Sequence, residues 1–292
     1  GFNAFLLAVI NGLSQFKRLL YINIYAQLFG MCITLYLIWQ HQLTGALIAV
    51  ATVESLIIFA TVIGAYGQKH ILKLIHWRGL NLSSFKKLGT YSIMALFTAL
   101  TLPLVKVAIR NYIIDNQSLH DAGLWEAMNR ISWYYLMFVS TLLTLYLLPR
   151  FAEIDTKMEF RKEVFSFYKT IIPIFGFGLI LIYFLRSFII KLVFTNAFAE
   201  VESLFFWQLL GDFLKVLSLV IAYQFLAKKM ILHYLFVEAF FAFNLYFLSI
   251  YFIDKIGLKG VVFAHFVCYV INFMVILIIF NKSLIGKPTV TS

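Results

Sequence analysis

The residues best equipped for chemistry in this 292-residue chain are charges set inside long apolar runs. A charge at the centre of a membrane helix costs about 2.5–3.5 kcal/mol on insertion scales, so each is expected to face a cavity or a partner. Lys106 and Arg110 stand four apart, on one helical face, with no acidic residue on their own run. Two readings stay open for them: cations in a cavity, suited to holding a phosphate, or long side chains snorkelling to headgroups. Glu126 and Arg130 are four apart and Asp212 and Lys215 three apart, spacings at which opposite charges on a helix pair. Glu54 and Glu238 are single carboxyls within runs, suited to a protonated, hydrogen-bonded state or to coupling an ion. Around Arg130 cluster Trp125, Trp133, Tyr134 and Tyr135, which offer flat faces to sugar rings or to the membrane interface. Cations and anions in this set balance four to four.

Other chemistry is excluded more sharply. The chain has no GxxxxGK[ST] phosphate loop, no HExxH, no GxSxG and no CxxC. ATP hydrolysis and familiar covalent or metal catalysis are therefore not expected, and neither is a cofactor. Cys32 and Cys268 both lie in apolar runs and form no disulfide framework. His265, inside a run, reads as a packed core residue. Pro103 lies three residues before Lys106, where a lost backbone hydrogen bond kinks a helix, and Thr98 and Thr101 upstream can satisfy the freed groups. Pro173, Gly176 and Gly178 give a later run similar plasticity.

The elements that must position these residues follow from composition. Apolar residues make up 62% of the chain and charged residues 13%, with a mean hydropathy of +0.91. A soluble domain is nearer half apolar and a quarter charged, so soluble enzymes and nucleic-acid binders are excluded and an all-α polytopic membrane protein is expected. Eight runs are long enough to cross a bilayer as helices: Leu19–Trp39, Leu43–Tyr66, Leu88–Ile109, Leu124–Leu148, Phe165–Leu185, Leu204–Ala227, Met230–Phe252 and Leu258–Phe280. Phe2–Ile10 is half a span, and with Gly1 in place of a starting Met it reads as the end of a helix in a C-terminal fragment.

The net charge of +11 is distributed along the chain in alternating connections. Sixteen basic residues fall in one set, from Lys17–Arg18 through 69–87, 150–169 and Lys228–Lys229 to Lys282 and Lys287, against five (Arg110, Arg186, Lys191, Lys255, Lys259) in the other. Positive charge collects on the cytoplasmic side, which places the C-terminus inside. The basic stretch 67–87 reads as a cytoplasmic linker between a partial N-terminal lobe at 1–66 and a six-helix C-terminal lobe at 88–281, with 282–292 as a cytoplasmic tail.

Within that frame some segments resemble a known family. The stretch Gly123-Leu-Trp-Glu-Ala-Met-Asn-Arg-Ile-Ser-Trp-Tyr-Tyr-Leu136, running on to Leu147-Leu-Pro-Arg150, is similar to the Wzx-type flippases of bacterial surface-polysaccharide synthesis, which include the O-antigen and lipid III translocases. Trp207-Gln-Leu-Leu-Gly-Asp-Phe-Leu-Lys215 with Ala227-Lys228, Ala8-Val-Ile-Asn-Gly12 and Thr101-Leu-Pro-Leu104 through Arg110 fit the same family. The resemblance implies a MATE-like two-lobe bundle in the bacterial inner membrane, its N-terminal lobe incomplete here by about three and a half spans. Its cargo would be an undecaprenyl-pyrophosphate-linked oligosaccharide turned from the cytoplasmic to the periplasmic leaflet. The partners it implies are that lipid-linked glycan, membrane lipids, a glycan polymerase and a chain-length regulator, with no nucleic acid. Lys106, Arg110 and Lys215 would attract the pyrophosphate, Arg130 and Trp125 would face the glycan, and Asp212, Glu238 and Glu54 would tune the cations or couple an ion. The carry-over rests on Arg110, Asp212, Lys215 and Glu238; the family does not call for a charge at Lys106 or Glu54. Rival readings are a drug or cation antiporter on the same fold, and a membrane glycan polymerase or ligase, which the short outside connections 111–123 and 186–203 disfavour.

Overall fold

The computed structural model describes residues 16–65 and 82–284. The stub Phe2–Ile10, most of the linker 67–87 and the end of the tail lie outside the described residues, as does the side chain of Glu54. Among the described residues every regular element is helical. The chain divides into two compact units, Gly1–Leu82 and Ser83–Ser292.

The first unit is helix α1 (Phe16–Ala65), broken at Gln42, where φ is 48°. That left-handed residue falls between the two runs read from the sequence, Leu19–Trp39 and Leu43–Tyr66. The chain turns so tightly there that a Cβ on Gly45 would come within 1.8 Å of the Leu37 carbonyl oxygen, which only glycine allows. An apolar helix within α1, Thr44–Val53, is shorter than a span.

The second unit carries six helices long and apolar enough to cross a membrane, at Ser92–Asn116, Leu119–Glu153, Lys157–Val193, Asn196–Ala227, Ile231–Ile256 and Lys259–Leu284. The chain is thus an all-α, multi-pass membrane protein, as its composition requires. Helix α2 is Leu82–Asn116, with Pro103 inside it. Helix α3 (Leu119–Leu142) starts at Ser118, whose hydroxyl accepts from the Asp121 amide at 3.0 Å. It continues through a wide π-turn, Leu143–Leu147, into α4 (Leu148–Glu153). Pro149 explains the turn: its ring lacks an N–H and crowds the carbonyl four residues back, so the helix widens there. Helix α5 (Lys157–Val193) is capped by Thr156, which accepts from the Glu159 amide at 3.2 Å. A 3₁₀ segment, Asn196–Leu204, leads into α6 (Phe205–Ala227). Last come α7 (Ile231–Ile256), ended by Gly257 at a φ of 65°, and α8 (Lys259–Leu284).

Burial decides which helix is central. The span ending in α6 is the most enclosed, with 56% of its most apolar stretch buried against 11% for the spans of α2 and α5. Two apolar clusters fill the bundle. One gathers Leu124, Met128, Phe205, Leu209 and Val262; the other gathers Leu143, Phe151, Phe160, Val220 and Phe225. The seam between them on α3 lies at Ser132, after Ile131 and before Leu136, and on α6 at Asp212, after Leu209 and before Val216. At the basic end Arg150 bridges Glu153 and Glu163 at 3.6 and 3.5 Å, tying α4 to α5.

Candidate functional site

At that seam the bundle hides a carboxylate. Asp212 on α6 is fully buried. Its Oδ2 accepts from Ser132 Oγ, from the Tyr135 hydroxyl at 2.5 Å and from Gln208 Nε2 at 3.2 Å. Its Oδ1 lies 3.0 Å from His265 Nε2 on α8, and with a carboxylate as partner that nitrogen is the donor. Donors from α3, α6 and α8 therefore converge on one side chain. A buried carboxylate is tolerated only with this kind of satisfaction. Here its capacity is occupied by the protein, so Asp212 joins three helices and offers no accessible face to a ligand.

Gly211, the neighbour of Asp212, makes the convergence possible. A Cβ there would lie 2.4 Å from the His265 ring and 3.2 Å from the Phe266 Cα. Gly211→Ala is accordingly expected to push α8 away from α6 and loosen the His265–Asp212 contact, lowering stability by about 1–3 kcal/mol. A fall in the melting temperature of purified Gly211→Ala protein checks this.

Beside the network opens a cavity of about 270 Å³. Lys106 from α2 and Lys215 from α6 line it together with Trp125, Asn129, Gln208 and His265. Lys106 Nζ lies 3.4 Å from Asn129 Oδ1, and Lys215 Nζ lies 5.8 Å from the centre of the Tyr269 ring. Among the described residues neither lysine forms an ion pair. Two ammonium groups lining one cavity with amide and indole groups, neither held in an ion pair among the described residues, give a chamber suited to an anion. Ligand pockets for drug-sized molecules run to roughly 300–1,000 Å³, so this chamber suits a diphosphate or one sugar ring.

The other site residues fall elsewhere. Arg110 does not line the chamber: its guanidinium meets Glu126 on α3 at 2.5 Å. Arg130 reaches the same carboxyl at 3.5 Å, the pairing its spacing allows, and is 71% exposed. The sequence gives Arg110 no partner on its own helix, and the structure supplies one from the next. Lys215 does not take Asp212 as its partner, because His265 holds that carboxyl. Trp125 is buried against the apolar core and also borders the chamber, whereas Tyr134 is exposed. Glu238 on α7 keeps one buried oxygen without a donor. Among the described residues no cluster of His, Cys, Asp or Glu could hold a metal.

Sequence reading singled out neither Ser132 nor Gln208 and took His265 for a packed core residue, whereas its ring nitrogen lies 3.0 Å from the Asp212 carboxylate. The signal lay in polar residues at helical spacing within apolar runs: Ser132 and Tyr135 three apart, Gln208 and Asp212 four apart. Each pair marks one polar stripe, and two such stripes in a membrane must meet.

No family model matches the chain, and no solved structure matches it. Two curated relatives do. The lipid III flippases of Escherichia coli strain K12 and of Shigella flexneri are each 32% identical over 152 residues, 52% of this chain and 36% of the relative. The matched stretch thus spans about a third of the relatives' length. Both bear out the flippase resemblance read from the sequence.

Proposed function

We propose, from this similarity to lipid III flippases, that the chain is part of a flippase for an undecaprenyl-pyrophosphate-linked oligosaccharide, O-antigen unit or lipid III, moved from the cytoplasmic to the periplasmic leaflet of the bacterial inner membrane. The observation that carries the reading is the pair of lysines, Lys106 and Lys215, that line one chamber. A diphosphate moved through bare hydrocarbon meets a Born cost of tens of kcal/mol. Fixed ammonium groups replace the water it leaves, and the polyprenyl tail stays in lipid. Trp125 and Asn129 offer a stacking face and an amide to the first sugar, with Arg130 beyond them facing the rest of the glycan. Arg110, neutralised by Glu126, attracts the incoming headgroup less strongly than the two lysines do. Residues 88–281 form the C-terminal lobe of a MATE-like two-lobe bundle, with the tail 282–292 in the cytoplasm. A glycan polymerase and a chain-length regulator take the cargo onward.

The test is a leaflet-transfer assay on the full-length protein in proteoliposomes, using a fluorescent undecaprenyl-pyrophosphate oligosaccharide. Transfer faster than in protein-free vesicles is expected, and no acceleration overturns the reading. In the same assay Arg110→Ala is expected to slow transfer by a smaller factor than Lys215→Ala. The reverse order would place the phosphate at Arg110.

A further inference from the structure

The His265 ring borders the chamber that Lys106 and Lys215 line, yet the Asp212 network engages only one of its two nitrogens. Nε2 lies 3.0 Å from Asp212 Oδ1 and, facing a carboxylate, carries the hydrogen. The adjoining Cδ2 lies against α6: a Cβ added to Gly211 would come 2.4 Å from Cδ2 and 3.1 Å from Nε2. That edge of the ring is closed. The imidazole is 17% exposed, and the edge left to account for it is the opposite one, Cε1–Nδ1. Nδ1 makes no hydrogen bond among the described residues, and it is not one of the buried polar atoms that lack a partner. An atom neither bonded nor sealed meets open space, and the cavity that this ring lines is the chamber.

Asp212 decides what Nδ1 can do there. With the hydrogen held at Nε2, the neutral ring presents a bare lone pair at Nδ1. An imidazolium would add a third positive charge to a chamber lined by Lys106 from α2 and Lys215 from α6. The one carboxylate at hand, Asp212, is already shared with Ser132 and Tyr135 from α3 and with Gln208. Tyr269, on the same helix as His265, sets its ring 4.8 Å away, and α7 contributes Glu238, an electrostatic neighbour of Tyr269. The lysines and the Trp125 indole are donors, and Asn129 Oδ1 faces Lys106 Nζ at 3.4 Å. An acceptor set among these donors suits a ligand that brings both an anion and a hydroxyl.

We propose that His265 is a ligand-binding residue of the chamber, its Nδ1 accepting a hydrogen bond from a hydroxyl of the sugar joined to the diphosphate, with Asp212 as the positioning residue that fixes the tautomer. This rests on the flippase reading above and adds to it the group that reads the sugar. The lysines answer to charge, which every diphosphate carries. His265 answers to the hydroxyl: a sugar-free diphosphate leaves Nδ1 desolvated and unpaired, and a site built for a hydrogen bond rejects a ligand that lacks it. The chamber thereby separates a glycan-loaded lipid carrier from the same carrier without its glycan.

The test measures binding to the full-length protein in detergent with two soluble probes, geranyl pyrophosphate esterified with methanol and geranyl pyrophosphate esterified with glucose. Both are diphosphate diesters of equal charge, and only the second brings sugar hydroxyls. His265→Gln is the variant, since a glutamine amide can replace Nε2–H as the donor to Asp212 and keep that carboxylate satisfied. It is expected to lose about tenfold in affinity for the glucose probe and to bind the methyl probe as wild type does. An equal loss on both probes, or no loss on either, overturns the inference. Nitrogen-15 spectra of histidine-labelled protein supply a second readout, with His265 identified by the signals missing from His265→Gln. In wild type Nδ1 is expected in the unprotonated range without ligand, shifting with the glucose probe and not with the methyl probe. A hydrogen on Nδ1 in the ligand-free protein overturns the tautomer and the inference with it. Wild-type protein that binds neither probe would overturn the flippase reading instead, whereas unequal binding that His265→Gln leaves unchanged would overturn the role of His265 alone.

Discussion

Substituting both chamber lysines, Lys106→Ala with Lys215→Ala, is expected to abolish translocation while leaving the protein folded. A hydrogen bond to a charged group is worth about 1.5–3 kcal/mol, so each lysine accounts for roughly a 10- to 100-fold change in rate and the pair for more. Stability should hardly move, because among the described residues neither ammonium takes part in an ion pair and both side chains border the chamber. The leaflet-transfer rate in proteoliposomes reads the first effect and the melting temperature reads the second. Lys215→Arg preserves the charge and should retain much of the activity, although a guanidinium is bulkier and planar. A double alanine variant that melts normally and still flips its cargo would remove the lysines from the mechanism.

Asp212→Ala is expected to do the opposite and damage the fold first. Four donors from α3, α6 and α8 meet that carboxylate, and its removal takes their shared acceptor from all of them inside the bundle. Breaking a buried charged pair by deleting one partner costs about 3–5 kcal/mol, a large part of the stability of a typical domain. A steep loss of melting temperature, or failure to accumulate in the membrane, is the expected observation. Tyr135→Phe removes one of the four hydrogen bonds and should cost about 1 kcal/mol. An Asp212→Ala protein as stable as wild type would show that the three helices are not joined there.

These two expectations differ in how far the sequence alone could reach them. The six helices of the second unit were legible because bilayer thickness dictates apolar runs of a fixed length, and Leu88–Phe280 divides into six of them. Lys106 and Lys215 were legible as functional candidates for a related reason: hydrocarbon makes any charge conspicuous. Their arrival in one chamber was not, since they lie on helices separated by more than a hundred residues. Local spacing also suggested the wrong partners. Lys215 stands one turn from Asp212, yet His265, on another helix, occupies that carboxyl because Gly211 lets α8 come close. Arg110, with no acid three or four residues away on its own helix, finds Glu126 across the turn at Ser118. Helical spacing identifies which residues can pair, and packing between helices decides which of them do.

The π-turn at Leu143–Leu147 shows the same division. Pro149 is plain in the sequence, and a proline inside a long apolar run announces a distortion. Whether the helix kinks, stops or widens depends on the packing around it. Here Leu143 and Leu147 are fully buried, and Thr144 and Tyr223 join hydroxyls at 3.0 Å, so the helix continues as one span.

The measurement to make first is mass spectrometry of lipid extracts from cells that lack the full-length version of this protein, with a leaflet assay on the same membranes. If the chain serves a flippase, single-unit undecaprenyl-pyrophosphate oligosaccharide accumulates on the cytoplasmic leaflet, and its fragment masses identify the glycan. Unchanged intermediates would contradict the transport reading, and accumulation on the periplasmic leaflet would place the missing step after translocation.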